Sequence, residues 1–321
     1  MPEPTLSYVP CMDPDGGHRM AYWQWGDPQA GHLIVCVHGL SRQGRDFDVL
    51  AQALLARTDH PLRVVCPDVV GRGRSDWLKD PMGYQLPQYV GDTLALLSQL
   101  QTQAPIAIFD WVGTSMGGLI GLAICGTPQL APDPGKGAAV LPARVRALVL
   151  NDVGPAIQWQ ALQRIGTYLG NTGHFDSLQQ AADAMWSIST SFGPHTPEQW
   201  LAFSRAMVRE LPEGGFTLHY DPAIAVPFRT VNEESAAQGE AALWQLYDQI
   251  HARVLITRGA DSDLLARDTA LAMTRRGPKA RLVEFEGVGH APTFIADNQV
   301  EAVASFLLGQ CTDEKPDSGT T

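Results

Sequence analysis

The sequence predicts an α/β fold, a mostly parallel, doubly wound sheet covered by helices on both faces and carrying an inserted helical block. Two observations carry this. Short runs of strand formers recur through the chain, at 32–37, 62–66, 106–112, 145–150, 253–257 and 281–285, separated by helical patterns. The runs are apolar almost without alternation, the mark of strands buried on both faces. A third observation places the insertion: residues 156–247 show helical patterns without a clear strand run, far longer than an ordinary loop.

The elements follow in order. Met20-Ala-Tyr-Trp-Gln-Trp25 alternates apolar and polar residues and predicts an antiparallel edge strand. His32-Leu-Ile-Val-Cys-Val37 ends at His38-Gly39, and a helix is expected over 47–57. Leu62-Arg-Val-Val-Cys66 runs into Pro67-Asp68 and a glycine turn. Residues 89–100 put Val90, Leu94 and Leu97 on one helical face. The run 106–112 leads into a small apolar helix over 117–125, and Gly126 to Pro142 reads as a surface loop. The last helix spans 300–308, and the polar tail 312–321 reads as disordered. The domain expectation is a core over 1–155 and 248–311, a helical cap over 156–247 and the tail.

Composition narrows the function classes. The 321 residues are 45% hydrophobic and 18% charged, the range of a globular protein, and the net charge is −11. Such a chain repels phosphate backbones and anionic lipid surfaces, so nucleic-acid partners are not expected. No run reaches the ~20 apolar residues of a membrane span. The start lacks a basic, then apolar, secretory pattern. Cys11, Cys36, Cys66, Cys125 and Cys311 are odd in number and scattered, and read as free thiols. Together these signs point to the cytoplasm. Nothing in the sequence specifies an oligomeric state.

The chemistry lies just after strands. Gly113-Thr-Ser115-Met-Gly117 follows one run and opens a helix, the strand–turn–helix setting of a nucleophile elbow. A serine hydroxyl needs a base. His290, in Gly287-Val-Gly-His290 after the last strand run, comes to the same edge of the sheet. The imidazole needs a carboxylate to hold its tautomer. Asp263 is preferred, Asp261 is the alternative, and Asp152 in Asn151-Asp-Val-Gly-Pro155 is a third option. The oxyanion donors are expected to be the backbone amides of Met116 and Leu40. The His38 side chain is expected to bond loop backbone. Gly71-Arg-Gly-Arg-Ser75 lacks the third glycine of a dinucleotide site, and no phosphate loop, H-E-x-x-H or C-x-x-C occurs. The proposed chemistry requires no cofactor and no metal.

These pieces resemble the α/β-hydrolase superfamily: His38-Gly39-Leu40, the stretch Asp68 to Ser75, the Gly113–Gly117 elbow, Arg258-Gly259 with Asp263, and Gly289-His290. Residues 111–118 and 148–155 are similar to a bacterial serine esterase-type subgroup. The resemblance implies the α/β-hydrolase fold, the triad order Ser115, Asp263, His290 and the two oxyanion amides. One departure stands out. Many relatives place the acid three residues after the strand-ending glycine, where this chain has Ser262 between Asp261 and Asp263. Relatives that open epoxides or remove halide carry aspartate at the elbow, so Ser115 points to acyl transfer instead.

The expected reaction is hydrolysis of a small to medium apolar ester through an acyl-enzyme, with a small-molecule substrate as the partner. The rivals are a lactonase or carbon–carbon hydrolase with the same triad, and a ligand-binding module with an idle one. Arg42, Trp159 and Trp186 are expected to line the substrate site. Arg42 and Arg45 offer a substrate carboxylate a cation, or pair with Asp46 and Asp48. The aromatic residues of 156–247 line the pocket or form that block's own core.

Overall fold

The computed structural model describes residues 3–130 and 141–309. The expectations for Cys311, for the tail 312–321 and for most of the 126–142 loop therefore fall wholly or partly outside the described residues. The chain runs β1 (Thr5–Cys11), β2 (His18–Gly26), β3 (His32–Val37), α1 (Asp48–Ala56), β4 (Leu62–Pro67), α2 (Leu86–Gln103), β5 (Ile108–Thr114), α3 (Met116–Gly126) and β6 (Val145–Asn151). The inserted segment follows with α4 (Trp159–Tyr168), α5 (Leu178–Ser189), α6 (Pro197–Arg205), β7 (Val208–Glu210), β8 (Phe216–Leu218), α7 (Ala225–Phe228) and α8 (Glu233–Asp248). The sheet resumes with β9 (Arg253–Gly259), α9 (Arg267–Met273), β10 (Arg281–Phe285) and α10 (Asp297–Leu308).

Eight strands form one sheet in the order β1-β2-β4-β3-β5-β6-β9-β10. From β4 to β10 every pairing is parallel, while β1 and β2 add an antiparallel margin. The expected fold class is thus present. The alternation within β3 shows why its run is unbroken. Leu33, Val35 and Val37 enter the core shared with α2 and α3, and Ile34 and Cys36 enter the core under α1 and α10. A strand buried on both faces has no side left for polar residues.

Two expectations are corrected. The 20–25 strand is antiparallel but is not the edge, because β1 flanks it. Pro4 and Pro10 obscure β1 as a strand pattern, and an edge strand tolerates proline because its outer N–H groups need no partner. The inserted block is not wholly helical either. β7 and β8 pair antiparallel over three residues each, too short to leave a periodic signature. Its last helix, α8, also leans on α3 of the core: a Cβ built on Gly126 would lie 2.3 Å from the Leu246 carbonyl oxygen.

Chain order positions the site. β3 is followed by β4 on one side and, after α2, by β5 on the other. The loops after β3 and β5 therefore diverge, opening a crevice at the carboxyl edge where ligands bind in such sheets. Among the described residues, no helix is long and apolar enough to cross a membrane.

Candidate active site

Ser115 sits between β5 and α3 with φ 51° and ψ −116°, a strained conformation for a residue with a side chain. Bare neighbours permit the turn. A Cβ on Gly117 would lie 2.0 Å from the Val37 carbonyl oxygen, and one on Gly113 would lie 2.3 Å from the Gly117 carbonyl oxygen. Gly117→Ala is accordingly expected to destabilise the fold by about 3 kcal/mol, a clash of backbone rather than a loss of contact. A urea midpoint unchanged from the parent would contradict this packing.

The Ser115 hydroxyl lies 3.1 Å from His290 Nε2. The other ring nitrogen, Nδ1, lies 2.7 Å from Asp152 Oδ2. A carboxylate only accepts, so Nδ1 carries the proton and Nε2 is left to accept from the serine. Asp152 is fully buried, again at positive φ (54°), and takes two further donors. They are the Gly259 amide at 2.9 Å and the Ser262 hydroxyl at 2.5 Å.

The preferred acid is therefore corrected. Asp263 is half exposed and binds Arg164 at 2.8 Å and 3.0 Å. Asp261 is exposed, with its amide donating to the Val288 carbonyl. Of the three aspartates weighed, Asp152 holds the imidazole. The reason lies in strand order. β6 is the neighbour of β5, so the residue after β6 falls beside the elbow, whereas the residues after β9 lie one strand farther away. Ser262 completes the exchange, because the position expected to carry an acid instead donates to one.

The loop after β3 and the start of α3 are supported from behind. Met116 opens α3, where the first amides have no intrahelical acceptor. Leu40 lies in the loop after β3, and its carbonyl accepts from Arg72 Nε at 2.8 Å. Arg72 is fully buried, also donates to Val70 O and Tyr89 Oη, and lies against the rings of Tyr84 and Tyr89. The Asp68 to Ser75 stretch does not show what this arginine serves, since Leu40 and Tyr89 are distant in the chain. Asn151 is a second such residue. Its side chain donates to the Pro292 carbonyl beside His290 and to Thr114 Oγ1 beside the elbow, and accepts from Thr257 Oγ1.

His38 bonds backbone, as expected. Val69 N–H donates to its Nε2 at 2.9 Å, so Nδ1 carries the proton and donates to the Gly39 carbonyl at 2.7 Å. Complete burial lowers its pKa from 6.5 to about 3. A group neutral in the fold but protonated when unfolded removes stability as pH falls. We expect about 1.4 kcal/mol lost per pH unit from this group between pH 6.5 and about 3. Urea titrations at stepped pH check the slope, and an NMR titration of His38 above pH 5 would contradict it.

The site opens into a cavity of about 380 Å³ between the sheet edge and the inserted segment. Ser115, His290, Leu40 and Arg42 line it from the core, and Phe175, Met185, Phe192 and Tyr220 from the insertion. Trp159 and Trp186 do not line it, which corrects that expectation. Trp186 packs edge-on to Trp200 at 4.9 Å in a cluster with Met185 and Met207, so it serves the insertion's own core. Arg42 does line it while paired with Asp46, and Arg45 pairs with Asp48 and Glu3.

Comparison with known proteins agrees with this architecture. The model of the alpha/beta hydrolase family matches residues 34–306. A 3-hydroxybutyrate-oligomer hydrolase of Cupriavidus necator is 46% identical over 311 residues, covering 95% of this chain and 98% of that one. A solved alpha/beta hydrolase of Novosphingobium aromaticivorans superposes with a TM-score of 0.78 at 32% identity, covering 96% of this chain and 99% of its own. A putative hydrolase of Rickettsia typhi superposes with a TM-score of 0.79 at 27% identity, over 96% and 100% of the two chains. The chain belongs to the alpha/beta hydrolase family and is an esterase-like hydrolase.

Proposed function

We propose that this protein hydrolyses short oligoesters of small hydroxy acids through a serine acyl-enzyme. The observation that carries the reading is the continuous line Ser115–His290–Asp152, at 3.1 Å and 2.7 Å, opening on a cavity of mixed apolar and hydroxyl lining. The oligomer hydrolase from Cupriavidus necator, similar over nearly its whole length, supports the substrate class.

The steps follow from the atoms present. Ser115 Oγ attacks the ester carbonyl carbon while His290 Nε2 takes the hydroxyl proton. The imidazolium that results is held by Asp152. The carbonyl oxygen gains the negative charge, and the Met116 and Leu40 amides are the donors proposed to meet it. The carbon–oxygen bond to the alcohol breaks, and His290 returns its proton to the departing oxygen. Water then repeats the sequence on the acyl-serine, giving a carboxylic acid and restoring Ser115.

The inserted segment acts as the cap that closes the cavity from above. It also braces the base. Ser191 Oγ donates to the His290 carbonyl at 3.3 Å, and the His195 ring contacts Thr293 Oγ1 at 2.9 Å. Cys11, Cys36 and Cys66 are buried free thiols and Cys125 is half-buried, which supports a reducing compartment such as the cytoplasm.

The test is a substrate panel: linear 3-hydroxybutyrate dimer and trimer, p-nitrophenyl esters of increasing chain length, a lactone and a dienoate ring-cleavage product. The expected result is fastest turnover on the linear oligomers. A strong preference for the lactone or the dienoate would displace this reading.

A further inference from the structure

The cavity has a charge character that the chain as a whole lacks. The sequence holds 34 acidic and 23 basic side chains, not counting histidine. Yet among the described residues no aspartate or glutamate lines the cavity, and Arg42 and Arg164 both do. Each guanidinium is gripped along one edge by a carboxylate outside the lining. Arg42 gives Nε and Nη2 to Asp46 at 2.6 Å and 2.7 Å, and Arg164 gives the same two nitrogens to Asp263 at 2.8 Å and 3.0 Å. The Nη1 corners remain. Among the described residues that of Arg164 reaches only Tyr168 Oη, at 3.4 Å, and that of Arg42 makes no hydrogen bond. Arg42 is further fixed by the Phe203 ring, whose centroid lies 4.0 Å from its guanidinium carbon.

From this arrangement we infer that the cavity contains a subsite for a free carboxylate on the substrate, with Arg42 as its main donor and Arg164 as the second cation. Neither Asp46 nor Asp263 lines the cavity, so each pair contributes its guanidinium residue to the lining and not its carboxylate. The side chains are already ordered, so binding an anion costs little conformational entropy. Arg42 also springs from the loop beside the nucleophile. A Cβ on Gly39 would sit 3.7 Å from both Arg42 Cγ and Ser115 Cβ, so the arginine stem starts beside the elbow. In a linear hydroxybutyrate oligomer the terminal carboxylate lies two carbons beyond the last ester oxygen. Anchoring that carboxylate places the last ester bond at Ser115. The carboxyl-terminal unit is then the leaving alcohol, and each turnover shortens the oligomer by one hydroxy acid.

This inference rests on the oligoester reading, and the experiment separates the two. kcat/KM is measured for the 3-hydroxybutyrate dimer as free acid and as methyl ester, with p-nitrophenyl butyrate as a neutral reference, at low and high salt. The expected result is a preference for the acid of about tenfold or more, the range of a hydrogen bond to a charged group. The preference shrinks at high salt. Arg42→Gln brings the ratio close to one, Arg42→Lys retains part of it, and Arg164→Gln lowers it by a smaller factor. Equal rates on acid and methyl ester in the parent protein, or a ratio unmoved in both glutamine variants, would overturn the carboxylate subsite alone. Turnover of p-nitrophenyl butyrate with no cleavage of either dimer would overturn the oligoester reading and the subsite with it. Should Arg42→Gln not fold, Arg164→Gln and the salt dependence still decide.

Discussion

Ser115→Ala is expected to lower kcat on any ester the protein cleaves by about 10⁶-fold, since removal of a serine nucleophile costs as much as removal of its whole triad. The fold should survive. Among the described residues the side-chain bond lost is that to His290 Nε2, and alanine needs no more room at φ 51° than serine does. Circular dichroism and the melting temperature should therefore match the parent. A fluorophosphonate probe gives the complementary reading, with the parent labelled on Ser115 and the variant unlabelled. Undiminished turnover in the variant would remove Ser115 from the mechanism. A folded parent that takes no label would favour a binding protein with an idle triad.

Asp152→Asn should lower kcat by about 10⁴-fold with the structure largely kept, because an amide at that place favours the wrong imidazole tautomer and leaves the cation unsupported. Asp263→Asn should change turnover of p-nitrophenyl butyrate by less than about threefold. Its partner Arg164 is 41% exposed and Asp263 itself 50%, and such surface pairs contribute about 0–1 kcal/mol. Asp261→Asn should be equally mild. Measured side by side, the three variants separate the candidate acids. A large loss in Asp263→Asn with Asp152→Asn near the parent would return the role to Asp263.

The misassigned acid shows where linear reading stops. The serine carries a local signature, because glycines two residues either side of it are demanded by backbone contacts such as that of Gly117 with Val37. The histidine is marked by a glycine loop after the last strand. An aspartate has no such mark. Asp152, Asp261 and Asp263 each follow a strand, and choosing among them requires knowing that β6 lies against β5 while β9 is one step farther out. Ser262 is visible in the sequence as a departure from the expected pattern. That it donates to Asp152 is not, since the two are 110 residues apart. The aromatic insertion poses a similar limit. The sequence marks Trp186 and Phe192 alike as apolar; both pack against the insertion's own core, and only the tertiary structure puts Phe192 on the cavity wall as well.

By itself, then, the sequence determined the parallel sheet, the elbow serine, the glycine-loop histidine and the hydrolase class, because apolar runs and glycine spacing are constraints felt within a few residues. Tertiary structure alone decided which carboxylate faces the imidazole, that Arg72 and Asn151 brace the loops, that β1 rather than β2 is the edge strand, and that two arginines line one cavity with no acid beside them among the described residues. Each of these depends on which distant strands become neighbours, and a side chain's partner across the sheet leaves no trace in the residues beside it.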